Sequence, residues 1–589
     1  MKNFLKYTLA TITGIIITSI LFLIIILASI SALVASGEKP VSIKDNSILV
    51  LKAGVDIPDR GNQNPFAGID LFNLTFMASP GLNDILQNIE KASSDSKIKG
   101  ILIENGLLPS GWATTGEIRN ALKKFKMKGK FIISYSDYVL TQQCYYLSTV
   151  ADKIYINPGS MLDFKGLSSE VMFYKKALEK IGLEVQVTRH GKFKGAVEPF
   201  MLDKLSEENK AQIKDYAGSI WDNVIKSISE SRNIPADQLN LLADNLTGEI
   251  AENSLKNKLV DGLMFRDELN DTLKALSGIA AGKDLNLVSM IKYSKVPDPG
   301  KSISGKNRIS VVYASGNIVS GKGNESSIGG NSYAEVIRKE RLDTSVKAIV
   351  LRVNSPGGVA IAADIIWREV ELSAKVKPVV ISMGNYAASG GYYISAPATK
   401  IYADPTTISG SIGVFGLIPN AQKLLEQKLG LTTDIVKTNK NSDFPSIVRP
   451  MNSYEKEIMQ LSIEKIYSDF VGKVASGRKM TPESVDSIGQ GRVWSGTSAL
   501  KIGLVDEIGG LTEAIKGAAT LAGIDKYSVR ELPVLEDPYT RLLNQFGGDI
   551  KMSILKRELG ESVKYYNLLQ EIKEFSGVQA RLPYYIEIR

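Results

Sequence analysis

Apolar positions in the second half of the chain come in short runs without strict polar alternation. Ile309-Ser310-Val311-Val312-Tyr313, Ala348-Ile349-Val350-Leu351-Arg352-Val353 and Pro378-Val379-Val380-Ile381-Ser382 each predict a strand covered on both faces. Between them Ile361 to Ala374 predicts a helix, and Gly390 to Ala396 opens another. Strands of this kind separated by helices predict a parallel sheet built from βαβ units, an α/β fold. A different pattern opens the chain. Tyr7 to Gly37 is 31 residues without a charge, preceded by Lys2 and Lys6 and followed by Glu38 and Lys39. About 20 apolar residues span a bilayer as a helix, and the leading lysines favour an N-inside orientation. A retained anchor over residues 1–40 is the expectation. A cleaved secretory signal, with a shorter apolar region of about 7–15 residues, is the alternative.

The pattern also repeats. Tyr145–Pro158 reads YYLSTVADKIYINP and Tyr392–Pro405 reads YYISAPATKIYADP, identical at eight of 14 positions at an offset of 247. Leu107-Leu108-Pro109-Ser110-Gly111 falls on Asn354-Ser355-Pro356-Gly357-Gly358, and Lys180-Ile181-Gly182-Leu183 falls on Lys428-Leu429-Gly430-Leu431 after a one-residue slip. Repeats found in one order predict two copies of one unit, 41–300 and 301–540. Lys283 to Lys306, with its Pro, Ser and Gly residues, reads as the linker between them. Residues 541–589 read as a C-terminal helical tail, amphipathic from Asp549 to Phe575, with a packing role.

Composition narrows the chemistry. Of 589 residues, 44% are hydrophobic and 23% charged, an ordinary globular balance. The net charge of +8 is mild for this length and no basic stripe with interleaved aromatics is present, so nucleic acid is not an expected partner. A single cysteine, Cys144, excludes an intrachain disulfide and a Cys-based metal site. A single histidine, His190, excludes multi-His metal centres and leaves any Ser-His-Asp hydrolase dependent on that residue. No cofactor is expected.

Where matched positions differ, the two copies divide the chemistry. Ser389, in Ala387-Ala388-Ser389-Gly390-Gly391, follows a predicted strand and starts a predicted helix; its counterpart is Gln142. A strand-to-helix turn of small residues can expose a nucleophile. Gly390 and the Pro356-Gly357-Gly358 turn could supply backbone donors to an oxyanion, although small residues also serve tight packing. Lys194, in Gly191-Lys192-Phe193-Lys194-Gly195-Ala196-Val197-Glu198-Pro199-Phe200, has about Ser442 as counterpart. A lysine becomes a base only if burial lowers its pKa toward 7–8, and Phe193, Ala196, Val197 and Phe200 are suitable neighbours. His190 and Lys192 compete for the role of base. Glu198, if paired with Lys194, would hold it charged.

The motifs GKFKGAVEPF at 191–200, NSPGG at 354–358, GNYAASGGYYIS at 384–395 and SGSIGVFG at 409–416, with PYYIEI near the C-terminus, resemble the signal peptide peptidase A family in its long duplicated form, also called protease IV. The resemblance implies a ClpP/crotonase-like domain in tandem and a Ser/Lys dyad between the copies. By motif it implies Ser389 as nucleophile, Lys194 as general base, Ser411 as the residue that orients the lysine, and the Gly358 and Gly390 amides as the oxyanion hole. It further implies a homotetrameric bowl. The expected substrates are hydrophobic peptides, cleaved signal peptides above all. With the N-inside anchor held in membrane lipid, the catalytic part would face the periplasm from the bacterial inner membrane. Two rivals are a crotonase-like acyl-CoA enzyme, for which no phosphate-binding cluster is visible, and a non-catalytic membrane scaffold.

Overall fold

A computed structural model of the protein describes residues 4, 6–8, 10–22, 41–53, 56–61, 69–70, 75–76, 80–106, 110–298, 306–535 and 577–582. Two parallel sheets dominate it. In the first, the spatial order is Gly262–Leu263, Lys153–Ile156, Phe131–Ser136, Ile98–Asn105, Ser47–Ala53, Leu287–Ser289, and every pairing is parallel. In the second, the corresponding run is Glu507–Ile508, Lys400–Ala403, Val379–Ala388, Val346–Ser355, Arg308–Ser315, Ser528–Leu532, again parallel. The shared order is the structural counterpart of the internal repeat. Ile408–Gly410 and Val493–Ser495 extend the second sheet from the far end of Val379–Ala388.

The strands lack polar alternation because helices cover both faces. In Val346–Ser355 only Lys347 is exposed. The helix Trp112–Lys126 buries Ile118, Leu122 and Phe125 and carries Lys123, Lys124 and Lys126 in its last turn. Cations there meet the negative end of the helix dipole. The equivalent helix in the second half is Ala360–Ala374.

The halves are locked together. One apolar core built from the first copy also takes in Ala388, Ile408, Val493 and Leu582. Arg352, fully buried in the second sheet, reaches Asp59 at 2.7 Å and Glu117 at 2.7 Å, both from the first half. A third sheet crosses the seam in the order Ser327–Gly329, Asn317–Val319, Gly357–Val359, Gly577–Arg581, Phe415–Asn420, Glu184–Arg189.

Two expectations change. Part of the presumed linker is sheet: Leu287–Ser289 pairs with Ser47–Ala53, and Met290–Ser294 follows as a helix that buries Tyr293. A three-residue edge strand is too short to stand out beside a Pro- and Gly-rich stretch. The C-terminal tail is a strand, not a helix, where it is described, at Gly577–Arg581. Its partners lie more than 150 residues upstream, so local pattern could not reveal the pairing. The amphipathic stretch 549–575 and the PYYIEI residues lie outside the described residues, as do 23–40 of the expected anchor. Residues 10–22 are helical, and among the described residues no helix is long and apolar enough to cross a membrane.

Candidate active site

Lys194 and Ser389, 195 residues apart in sequence, meet at the seam between the halves. Lys194 Nζ lies 2.8 Å from Ser389 Oγ. The amine also donates to the Ser411 carbonyl at 3.2 Å and to Ser411 Oγ at 3.0 Å. All three side chains are fully buried.

The serine owes its position to a strained turn. It ends the strand Val379–Ala388 and caps the helix Gly390–Ser395, with φ 54° and ψ −114°. A non-glycine residue at positive φ stores strain, held here by surrounding contacts. Ser389 N donates to Gly410 O at 2.8 Å. Its hydroxyl makes no cap bond to the helix and remains available to the lysine. Ser411 has φ 51° and is pinned by its own N–H donating to Arg492 O at 2.7 Å.

The lysine arrives from the first half. Glu184–Arg189 pairs antiparallel with Phe415–Asn420, and Lys194 follows five residues later. Glycines of the second half make its channel. A methyl group on Gly491 would come within 2.7 Å of Lys194 N, and one on Gly413 within 3.2 Å of its Cδ. Gln212 braces the loop, donating from Nε2 to Phe193 O at 3.0 Å and accepting from Val493 N at 3.1 Å. Gly491 and Gln212 escaped sequence reasoning; the GQG run at 489–491 was the one available signal.

Burial pushes the Lys194 ammonium well below the usual lysine range. Among the described residues no carboxylate forms an ion pair with it. Glu198 is buried elsewhere, accepting from Asn209 Nδ2 at 2.6 Å and Ser206 N at 3.1 Å, and lies 3.6 Å from Arg189. The other candidates for base point away. His190 Nδ1 sits 2.6 Å from Glu464 Oε2, and its ring stacks on Tyr467 at 3.7 Å. Lys192 is exposed beside the Phe193 ring.

Gly358 and Gly390 lie close to one another. A methyl group on Gly390 would stand 3.2 Å from Gly358 N, so the two backbones approach closely. Gly357 adopts φ 96°, a left-handed conformation that favours glycine. Among the described residues no cluster of three or more His, Cys, Asp or Glu suited to a metal is present.

The chain matches the model of peptidase family S49 twice, over 124–280 and 371–525; the first match holds Lys194 and the second holds Ser389 and Ser411. It is 38% identical to Protease 4 of Haemophilus influenzae, covering 74% of this chain and 72% of that one. Protease 4 of Salmonella typhi is 34% identical, covering 86% and 83%. The chloroplastic serine protease SPPA of Arabidopsis thaliana is 32% identical, covering 87% and 76%. The chain is a serine peptidase and belongs to family S49, in its long duplicated type.

Proposed function

We propose that the protein is a membrane-anchored endopeptidase that hydrolyses hydrophobic peptides, cleaved signal peptides among them, through a Ser389/Lys194 dyad. The 2.8 Å separation of Nζ and Oγ, with the amine buried and, among the described residues, unpaired with any carboxylate, carries this reading. The two donations to Ser411 use N–H groups of the neutral amine and leave its lone pair for the Ser389 hydroxyl.

In the reaction, Lys194 takes the Ser389 proton as Oγ attacks a peptide carbonyl. The Gly358 and Gly390 amides hold the oxyanion. The lysine then protonates the leaving amine, and a water activated by the same amine hydrolyses the acyl-enzyme. A thioester enzyme would need neither the hydroxyl nor the amine.

Localisation and assembly follow from the same reading: a single N-terminal pass through the bacterial inner membrane, the catalytic part in the periplasm, and four copies enclosing an apolar space. A fluorophosphonate probe tests the chemistry. Labelling of the wild type, lost in Ser389→Ala and Lys194→Ala, is expected. Equal labelling of wild type and Ser389→Ala, or no labelling of either, would leave the non-catalytic scaffold as the better account.

A further inference from the structure

Beside the lysine loop lie three buried polar side chains that take no part in the dyad. Glu198 and Asn209 are fully buried, and Gln212 nearly so. Glu198 stands four residues after the lysine and opens the short helix Glu198–Met201. Asn209 and Gln212 sit near the start of the helix Glu207–Arg232, and their spacing puts them on one face of it. Ser206 caps that helix, and its N–H donates to Glu198 Oε2 at 3.1 Å, so the carboxylate meets the positive end of the helix.

The three side chains form a hydrogen-bonded chain with one sense. An ionised carboxylate only accepts, so Glu198 Oε1 takes the Nδ2 end of Asn209, at 2.6 Å. The Asn209 oxygen is thereby turned to Gln212 and accepts from its Nε2. The same Nε2 donates to Phe193 O at 3.0 Å, and the Gln212 oxygen accepts from Val493 N at 3.1 Å. Turning over either amide would set oxygen against oxygen at one end and N–H against N–H at the other. The chain ends on backbone from both halves. Phe193 immediately precedes the lysine, and its own N–H donates to Gln490 O at 3.0 Å. Val493 follows Arg492, whose carbonyl accepts from Ser411 N at 2.7 Å. The loop also packs directly on the relay, since a methyl group on Gly195 would come within 2.5 Å of Asn209 Oδ1.

We propose that Glu198 is a positioning residue for the reaction. Through Asn209 it fixes which way the Gln212 amide faces, and Gln212 in that orientation clamps the lysine loop to the segment that anchors Ser411. The inference rests on the dyad proposed above. A glutamine in place of Glu198 offers one acceptor oxygen where the fold presents two donors, Asn209 Nδ2 and Ser206 N. The relay then loses its imposed sense, Gln212 turns over in part of the molecules, and the amine no longer meets Ser389 at a fixed distance.

The experiment measures hydrolysis of an apolar fluorogenic peptide by the full-length chain in detergent. A fluorophosphonate counts reactive Ser389, so that kcat is expressed per labelled site. Glu198→Gln is expected to lower kcat per site by about tenfold or more, with KM changed by less than about threefold. Gln212→Ala is expected to do the same. The double variant should lose no more than Gln212→Ala alone, because Glu198 acts through Gln212. A merely structural Glu198 would give fewer labelled sites and a lower unfolding temperature with kcat per site unchanged. That result overturns the inference, as do losses that add in the double variant. If Glu198→Gln does not fold, Asn209→Ser breaks the relay while leaving Glu198 with Arg189 and Ser206 N. It should show the same loss, and wild-type kcat per site in that variant overturns the inference. In each of these cases Ser389-dependent hydrolysis by the wild type leaves the peptidase reading standing. A wild type without such hydrolysis removes both.

Discussion

The turn at Gln142 and the turn at Ser389 occupy the same place in two sheets of the same strand order, and they end differently. In the first half, Thr141 caps the helix Gln142–Ser148 from an ordinary extended conformation, φ −66°, and its side chain accepts from Cys144 N. Gln142 folds over the neighbouring loop, donating to Gly166 O at 2.8 Å and accepting from Lys165 N and Gly166 N at 3.2 Å. Both ends of the Gln142 amide are used within the fold. In the second half the cap residue is the strained Ser389, its hydroxyl withheld from the helix and turned to Lys194. The scaffold is common to both; one copy ties its turn into the fold and the other turns a hydroxyl toward a buried amine. The lysine follows the reverse division, since its counterpart Ser442 is exposed on a loop.

The sharpest break of this comparison is at the dyad. Ser389→Ala or Lys194→Ala is expected to lower peptide hydrolysis by about 10⁴-fold or more with the thermal unfolding temperature retained. Gln142→Ser placed in the Ser389→Ala background should restore nothing, because among the described residues no buried amine faces that turn. Measurable, probe-reactive hydrolysis by that double variant would show that the halves are interchangeable. The division also requires the halves to stay joined. Arg352→Ala strands the buried carboxylates of Asp59 and Glu117 and should destabilise the protein by about 3–5 kcal/mol in denaturant titration. A change below about 1 kcal/mol would mean that the apolar seam alone holds them.

Gly491 tests how tightly the second half grips the lysine of the first. It sits at φ 82°, and an added methyl would press on Lys194 N, Cα and Cβ at 2.7–2.8 Å. Gly491→Ala should shift the amine and lower kcat by about 10²-fold, with a smaller change in KM. An unchanged kcat would show that the channel does not position the lysine.

The fold class was legible because buried parallel strands leave unalternated apolar runs, and the duplication because YYxSxxAxKIY survives in both copies. Ser389 and Lys194 were legible as differences between matched positions. What sequence reading left open between Lys194, Lys192 and His190 is a question of side-chain direction, which spacing of four residues or fewer does not decide. The third sheet was hidden for another reason. Its six strands come from five widely separated stretches, and the two that frame Ser389 gain a partner from residues 577–581, near the far end of the chain. Long-range pairing of short strands leaves no local periodicity to read.

Acidity reads the same contrast through the proton on Lys194. Burial depresses its pKa, and only the neutral amine can accept from Ser389. As pH falls through that depressed value, kcat/KM should fall about tenfold per unit, and above it the profile should level. Stability moves in the same sense. The unfolded chain keeps this lysine protonated up to about pH 10.4, so between the folded and unfolded values it binds the extra proton and stability rises with pH. Lys194→Met should remove that slope. A flat activity profile from about pH 5 to 9 would deny the lysine its role.

The smallest expected effect belongs to His190. It lies four residues before Lys194, and a histidine base is the natural rival to a lysine. Its imidazole, however, is held between Glu464 and Tyr467, and the His190 backbone N–H donates to Val414 O at 3.1 Å, which ties the lysine loop to the strand-leading segment after Ser411. That backbone bond survives substitution of the side chain. His190→Ala should therefore change kcat/KM by no more than about threefold, and any loss should be the same at each pH, because no catalytic proton passes through the ring. A large loss confined to acidic pH would instead mean that the charged His190–Glu464 pair sets the field at the amine, and the base would then have to be treated as a coupled lysine and histidine rather than as Lys194 alone.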